Sequence, residues 1–120
     1  MIYLASPYSH PEPAVMELRY RAVCRCAGRL MREGHIVFSP IAHSHSIAKE
    51  CGIPPDLGFW MRQDEPMIGL ASELWIYTIP GWKTSLGVLE ELRIAYDMFD
   101  LPIKKCPPDE CERAILQGEE

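Results

Sequence analysis

Four short β-rich runs, each bounded by proline or glycine and separated by stretches of helical periodicity, constrain the fold of this chain more than any other feature. Residues 1–5 (MIYLA) are apolar, too short for a helix and closed by Ser6-Pro7, so they read as a buried first strand. Residues 7–13 are proline-rich and form a loop. From about 14 to 33, Val15, Leu18, Ala22, Val23, Cys26, Leu30 and Met31 recur at three- and four-residue intervals, which predicts an amphipathic helix stopped by Gly34. Residues 35–39 make a second strand closed by Pro40. A polar loop with His43, Ser44 and His45 follows, then a short helix at about 44–51, a proline-broken turn and a helix at about 58–70. Residues 73–79 are the third strand, 85–99 a helix, 102–105 a last short strand, and a polar helix starts near Pro108.

Strands alternating with helices predict an α/β fold. The expected architecture is a three-layer, Rossmann- or flavodoxin-like parallel sheet of four to five strands with helices on both faces. The 120 residues suit one domain spanning 1–120. Neither a transmembrane run nor the basic start and apolar core of a signal peptide is visible, so a cytoplasmic location is expected. The five cysteines are an odd set with no CxxC pair, which argues for reduced thiols used mostly in packing. A formal net charge of −5 disfavours a nucleic-acid polymer as partner, and the arginines spaced along the first helix read as a solvated face.

In such a sheet, ligands bind at the carboxyl ends of the strands, here Ser6-Pro7-Tyr8, residues 40–45 and residues 80–85. Within the helix at 85–99, Val88, Glu91, Ala95 and Met98 step by three, four and three, which puts Glu91 on an apolar stripe while Glu90 falls with Arg93, Ile94 and Asp97. A carboxylate so placed is functional, ion-paired or partly exposed, because burying it alone is costly. Ser85 and Gly87 open that helix, where backbone N–H groups suit a phosphate or a sugar hydroxyl, although Ser85 reads equally as an ordinary N-cap. His43 and His45 have no carboxylate or cysteine at a familiar ligand spacing, so no metal is expected there. Substrate contact and a hydrogen-bonded loop histidine are the two readings.

Residues 2–8 (IYLASPY), 34–40 (GHIVFSP), Asp64 and above all 85–95 (SLGVLEELRIA) resemble the nucleoside 2-deoxyribosyltransferase superfamily over about residues 1–106. The lead-in at 80–85 (PGWKTS) is similar to short bacterial and phage members, and also to the nucleoside 5′-monophosphate N-glycosidases. The resemblance implies cleavage or transfer at the N-glycosidic bond of a (deoxy)nucleoside or its 5′-monophosphate, through a covalent glycosyl-enzyme and without a cofactor. Ala95 selects Glu91 over Glu90 as the implied nucleophile. Tyr3 matches the tyrosine that orients it and Asp64 the acid near the leaving base, while Ser6 and Ser85 match hydroxyl- or phosphate-binding positions. Pro7, Tyr8, His43, His45, Trp82 and Gly87 complete the implied substrate site, with Tyr8, Trp82 and a histidine walling the base. The same resemblance implies a homo-oligomer, a dimer or larger.

The sequence departs from the family at Ser72-Glu73, where Ala-Asp is usual, and at Arg93, where glycine is usual. Two other readings stay beside this one. The first is a nucleotide-binding or sensing module without turnover. The second is a phosphoribohydrolase, whose phosphate loop resembles successive glycines that residues 80–85 lack.

Overall fold

A computed structural model describes residues 1–118 of the chain. Four strands run in order of sequence: β1 (Ile2–Ala5), β2 (Val37–Phe38), β3 (Glu73–Tyr77) and β4 (Ile103–Cys106). They form one parallel sheet in the order β2-β1-β3-β4, with Ile2 opposite both Val37 and Glu73, and Leu74 opposite Ile103. The expected α/β sheet is therefore present, with four strands.

The helices are α1 (Pro13–Arg32), α2 (Pro40–Cys51), α3 (Leu57–Leu70), α4 (Leu86–Arg93) and α5 (Glu110–Leu116), and α4 continues into a π-helical turn at Ile94–Met98. Successive strand residues point to opposite faces, and this alternation sorts the core into two halves. Leu4, Tyr77 and Cys106 pack under α1 and α5 with Val23, Cys26, Leu30 and Ile115. Tyr3, Ala5, Leu74 and Ile76 pack under α3 and α4 with Ile68, Val88, Ile94 and Ala95. The first half is tied by Glu112, only 1% exposed, which accepts hydrogen bonds from Arg29 and from the Tyr77 hydroxyl at 2.7 Å. Arg29 thus leaves the solvated face assigned to the arginines of α1. Of the cysteines, Cys26 and Cys106 are core residues, whereas Cys51 and Cys111 are exposed.

Two local expectations are corrected. Residues 40–45 are the first turns of α2, not a loop. The Ser39 side chain accepts from the Ala42 N–H and Pro40 occupies the first turn, so the residues that stop β2 also start a helix. The helix expected at 85–99 is α-helical only to Arg93. The wide π turn then brings Ile94 into the core at 2% exposure and turns Met98 out to 52%, which reverses the places that an unbroken α period gives them. Past the turn, the Phe99 ring lies against Gly69 of α3. A Cβ on Gly69 would meet it at 2.9 Å, so α3 and the end of this helix approach closely because of that glycine. Among the described residues, no helix is long and apolar enough to cross a membrane.

Candidate active site

A cavity of about 630 Å³ opens at the carboxyl end of β1, between α2 and α3 on one side and the start of α4 on the other. That size suits a small organic ligand. Four groups of side chains define it.

The first is a buried pair of carboxylates. Glu91 projects from α4 on the stripe of Val88 and Ala95, is 4% exposed, and accepts a hydrogen bond from the hydroxyl of Tyr3 on β1. Burial pushes the Glu91 carboxyl up to about 8. The Tyr3 bond pulls it back and the charge of Asp64 pushes it further up. Asp64, on α3, is 8% exposed and lines the same cavity. Burial raises it to about 7, and its carboxylate makes no hydrogen bond or ion pair among the described residues. Tyr3 lies behind Glu91 in the core. Burial first, then the charges of Glu91 and Asp64, hold its phenol well above the ordinary value.

The second group is the opening of α4. The Ser85 hydroxyl accepts from the Val88 N–H at 3.2 Å, so Ser85 is an N-cap and a lining residue at once, with Gly87 beside it. The third is the end of β1. Ser6 lines the cavity while its hydroxyl donates to the Pro7 carbonyl at 3.3 Å, and Tyr8 lines it next to His45. Arg19 of α1 holds this loop by donating to the Ser9 carbonyl at 3.0 Å. The fourth is an apolar wall that includes Leu57, Trp60 and Met61 of α3 and Ile41 of α2. The Trp60 indole N–H donates to the Pro54 carbonyl at 3.2 Å, which fixes the ring.

The structure brings together Glu91, Asp64, Tyr3, Ser6, Tyr8, His45, Ser85 and Gly87, and leaves three of the expected site residues out. His43 is exposed on the other side of α2, 5.6 Å from the Phe38 ring. Two positions apart on a helix, His43 and His45 face different ways, and only His45 is buried. Trp82 lines a separate shallow depression formed by residues 78–84, with Lys83 and Lys105 each 5.6 Å from its ring centroid. Pro7 is buried and absent from the lining. The sequence reading missed Trp60 and Met61. They precede Asp64 by four and three residues on one helix, and that spacing alone puts all three on one face.

The family model described as a domain of unknown function, DUF1937, matches residues 1–101. The chain belongs to this family. Its matched span contains β1 to β3, α1 to α4 and every residue of the cavity, and stops before β4 and α5. No curated protein matches the chain.

Proposed function

We propose that this DUF1937 protein cleaves or transfers at the N-glycosidic bond of a (deoxy)nucleoside or its 5′-monophosphate. The observation that carries the reading is the pair of buried carboxyls on one cavity, Glu91 hydrogen-bonded by Tyr3 and Asp64 free of partners among the described residues. The resemblance of residues 2–8 and 85–95 to the nucleoside 2-deoxyribosyltransferase superfamily supports it, as does the aromatic and aliphatic wall at Trp60 and Met61, which suits a flat base.

In this mechanism, ionised Glu91 attacks the anomeric carbon as the bond to the base nitrogen breaks, and the base takes its proton from Asp64. The sugar is then carried as an ester on Glu91. Water or a second base attacks the same carbon, Glu91 leaves as carboxylate, and the proton of the incoming group returns to Asp64. Tyr3 orients Glu91 and favours its charged form, which burial opposes. Ser85 and the N–H groups at the start of α4 face the sugar or its phosphate. A homo-oligomer is part of the proposal. Leu86, Leu89 and Tyr96, exposed on the helix that carries Glu91, support it, and analytical ultracentrifugation tests it.

The test is to incubate the protein and its Glu91→Ala variant with deoxynucleosides and their 5′-monophosphates, with and without a second free base, and to separate the products by chromatography. Released base marks hydrolysis and an exchanged nucleoside marks transfer; both are expected to vanish in the variant. One observation favours the second reading, a nucleotide-binding module: at neutral pH Glu91, near 8, is mostly protonated in the free cavity and is a poor nucleophile. Tight binding without product from any ligand of the panel establishes that module and removes the enzyme.

A further inference from the structure

Glu17, His45 and Tyr8 form a chain of hydrogen bonds along the cavity wall that the chemistry at Glu91 leaves unused. Glu17 Oε2 lies 2.9 Å from His45 Nε2, and His45 Nδ1 lies 2.6 Å from the Tyr8 hydroxyl. The imidazole is buried and stacks on Tyr20, with 3.9 Å between centroids and 19° between planes, so the ring is clamped from its face as well as from both nitrogens. Lys49, one turn along α2 from His45, lies 3.7 Å from the same Glu17 oxygen and offsets its charge.

This chain has a direction. An ionised carboxylate only accepts, so Nε2 carries the hydrogen that meets Glu17. A neutral imidazole has no second N–H, so Nδ1 accepts and the Tyr8 O–H donates to it. Burial and the Glu17 charge raise Tyr8 above its ordinary value and keep it a phenol. Its hydrogen is thereby committed to His45, and its oxygen lone pairs are left for the ligand.

We propose that Tyr8, oriented by His45 and Glu17, is a specificity contact that accepts a hydrogen bond from a sugar hydroxyl of the bound ligand. A phosphate oxygen at the Tyr8 hydroxyl would meet only lone pairs, so this contact selects a donor. The inference rests on the nucleoside reading above and adds to it which part of the nucleoside this wall takes. His45 and Glu17 are positioning residues in it.

Two measurements test it. In the ¹⁵N-labelled, ligand-free protein, NMR correlation of the ring nitrogens of neutral His45 is expected to find the proton on Nε2; the opposite tautomer overturns the proposal. Calorimetric binding of a 2′-deoxynucleoside and of analogues lacking the 3′- or the 5′-hydroxyl is then compared for the parent and Tyr8→Phe. The variant is expected to bind the intact nucleoside roughly three- to tenfold more weakly, as for one hydrogen bond, and to show no penalty with the single analogue that lacks the partner hydroxyl. An equal penalty for all ligands, or none, overturns the proposal and leaves the nucleoside reading standing. A parent that binds no nucleoside overturns both. Should Tyr8→Phe fail to fold, Glu17→Ala, at a half-exposed position, takes its place in the same comparison, and an equal penalty for all ligands, or none, again overturns the proposal. Glu17→Ala is expected to mix the two tautomers and to reproduce part of the same ligand-selective loss, which a merely structural contact does not do.

Discussion

Replacing Glu91 by glutamine should make the protein more stable as the pH rises, although it removes the central carboxylate of the cavity. The Glu91 carboxyl is held near 8 against an ordinary value of 4.5. Between those two values the unfolded chain has released a proton that the folded chain still holds. The stability fully present below 4.5 is therefore lost progressively as the pH rises through about 8, by about 1.4 kcal/mol per pH unit. From about pH 5 to pH 8 the loss from this one group comes to roughly 4 kcal/mol, a large share of what a domain of this size possesses. Glutamine keeps an acceptor oxygen for the Tyr3 hydroxyl and has no proton to lose. Asp64, raised by its own burial, is present in both proteins, so that burial contributes alike to the two curves. Urea unfolding of parent and Glu91→Gln across that pH range, at constant m, should give curves that agree within about 1 kcal/mol at the acid end and diverge by several at the alkaline end, with the variant above. Parallel curves would refute the argument that burial raises Glu91.

The same values set the pH dependence of turnover: the pair must hold Glu91 ionised and Asp64 protonated, so kcat/KM should peak between about 7 and 8, and Asp64→Asn should keep only the rise, moved below about 8 because the Asp64 charge no longer raises Glu91. A profile of Asp64→Asn that still falls at high pH assigns that limb elsewhere. Trp60→Ala should weaken nucleoside binding about tenfold or more, the size of one lost stacking partner, while Trp82→Ala leaves it within about twofold in the same calorimetric titration. Glu112→Ala should cost about 2 kcal/mol of unfolding free energy, because it removes the buried acceptor shared by the Tyr77 hydroxyl and Arg29 and leaves them the longer contacts to the Ala22 carbonyl and to Asp109, with no change in ligand affinity. A loss below about 1 kcal/mol in urea melts would show that these partners find water instead.

The alternation of strands and helices, and with it the sheet, was legible because each run has its own period and its own stop. Glu91 was legible for the same reason: Val88, Glu91 and Ala95 keep the α period up to the point where the helix widens. Met98 and Ile94 lie beyond that point, and no local rule in their residues announces a π turn. Ser39-Pro40 was ambiguous in a different way. Proline ends a strand and also suits the first turn of a helix, so the start of α2 was hidden, and the two histidines were placed in one loop when a helix separates their directions. Trp82 stands just past a predicted strand end, whereas Trp60 stands at the start of a predicted helix. Only the three-dimensional path of α3 puts the ring of Trp60 on the cavity with Asp64, and the long-range meeting of Glu17 on α1 with His45 on α2 is likewise absent from any local pattern.

The π turn at Ile94–Met98 also says where length can change. A wide turn takes up one residue more than an α turn without opening a loop, so a related chain one residue shorter in this helix loses that residue within 94–98 and keeps the stretch from Ser85 to Glu91 intact. A sequence comparison that sets the gap upstream instead slips the register by one, and because Glu90 and Glu91 are neighbours it still pairs glutamate with glutamate while matching the solvent-facing one to the buried one.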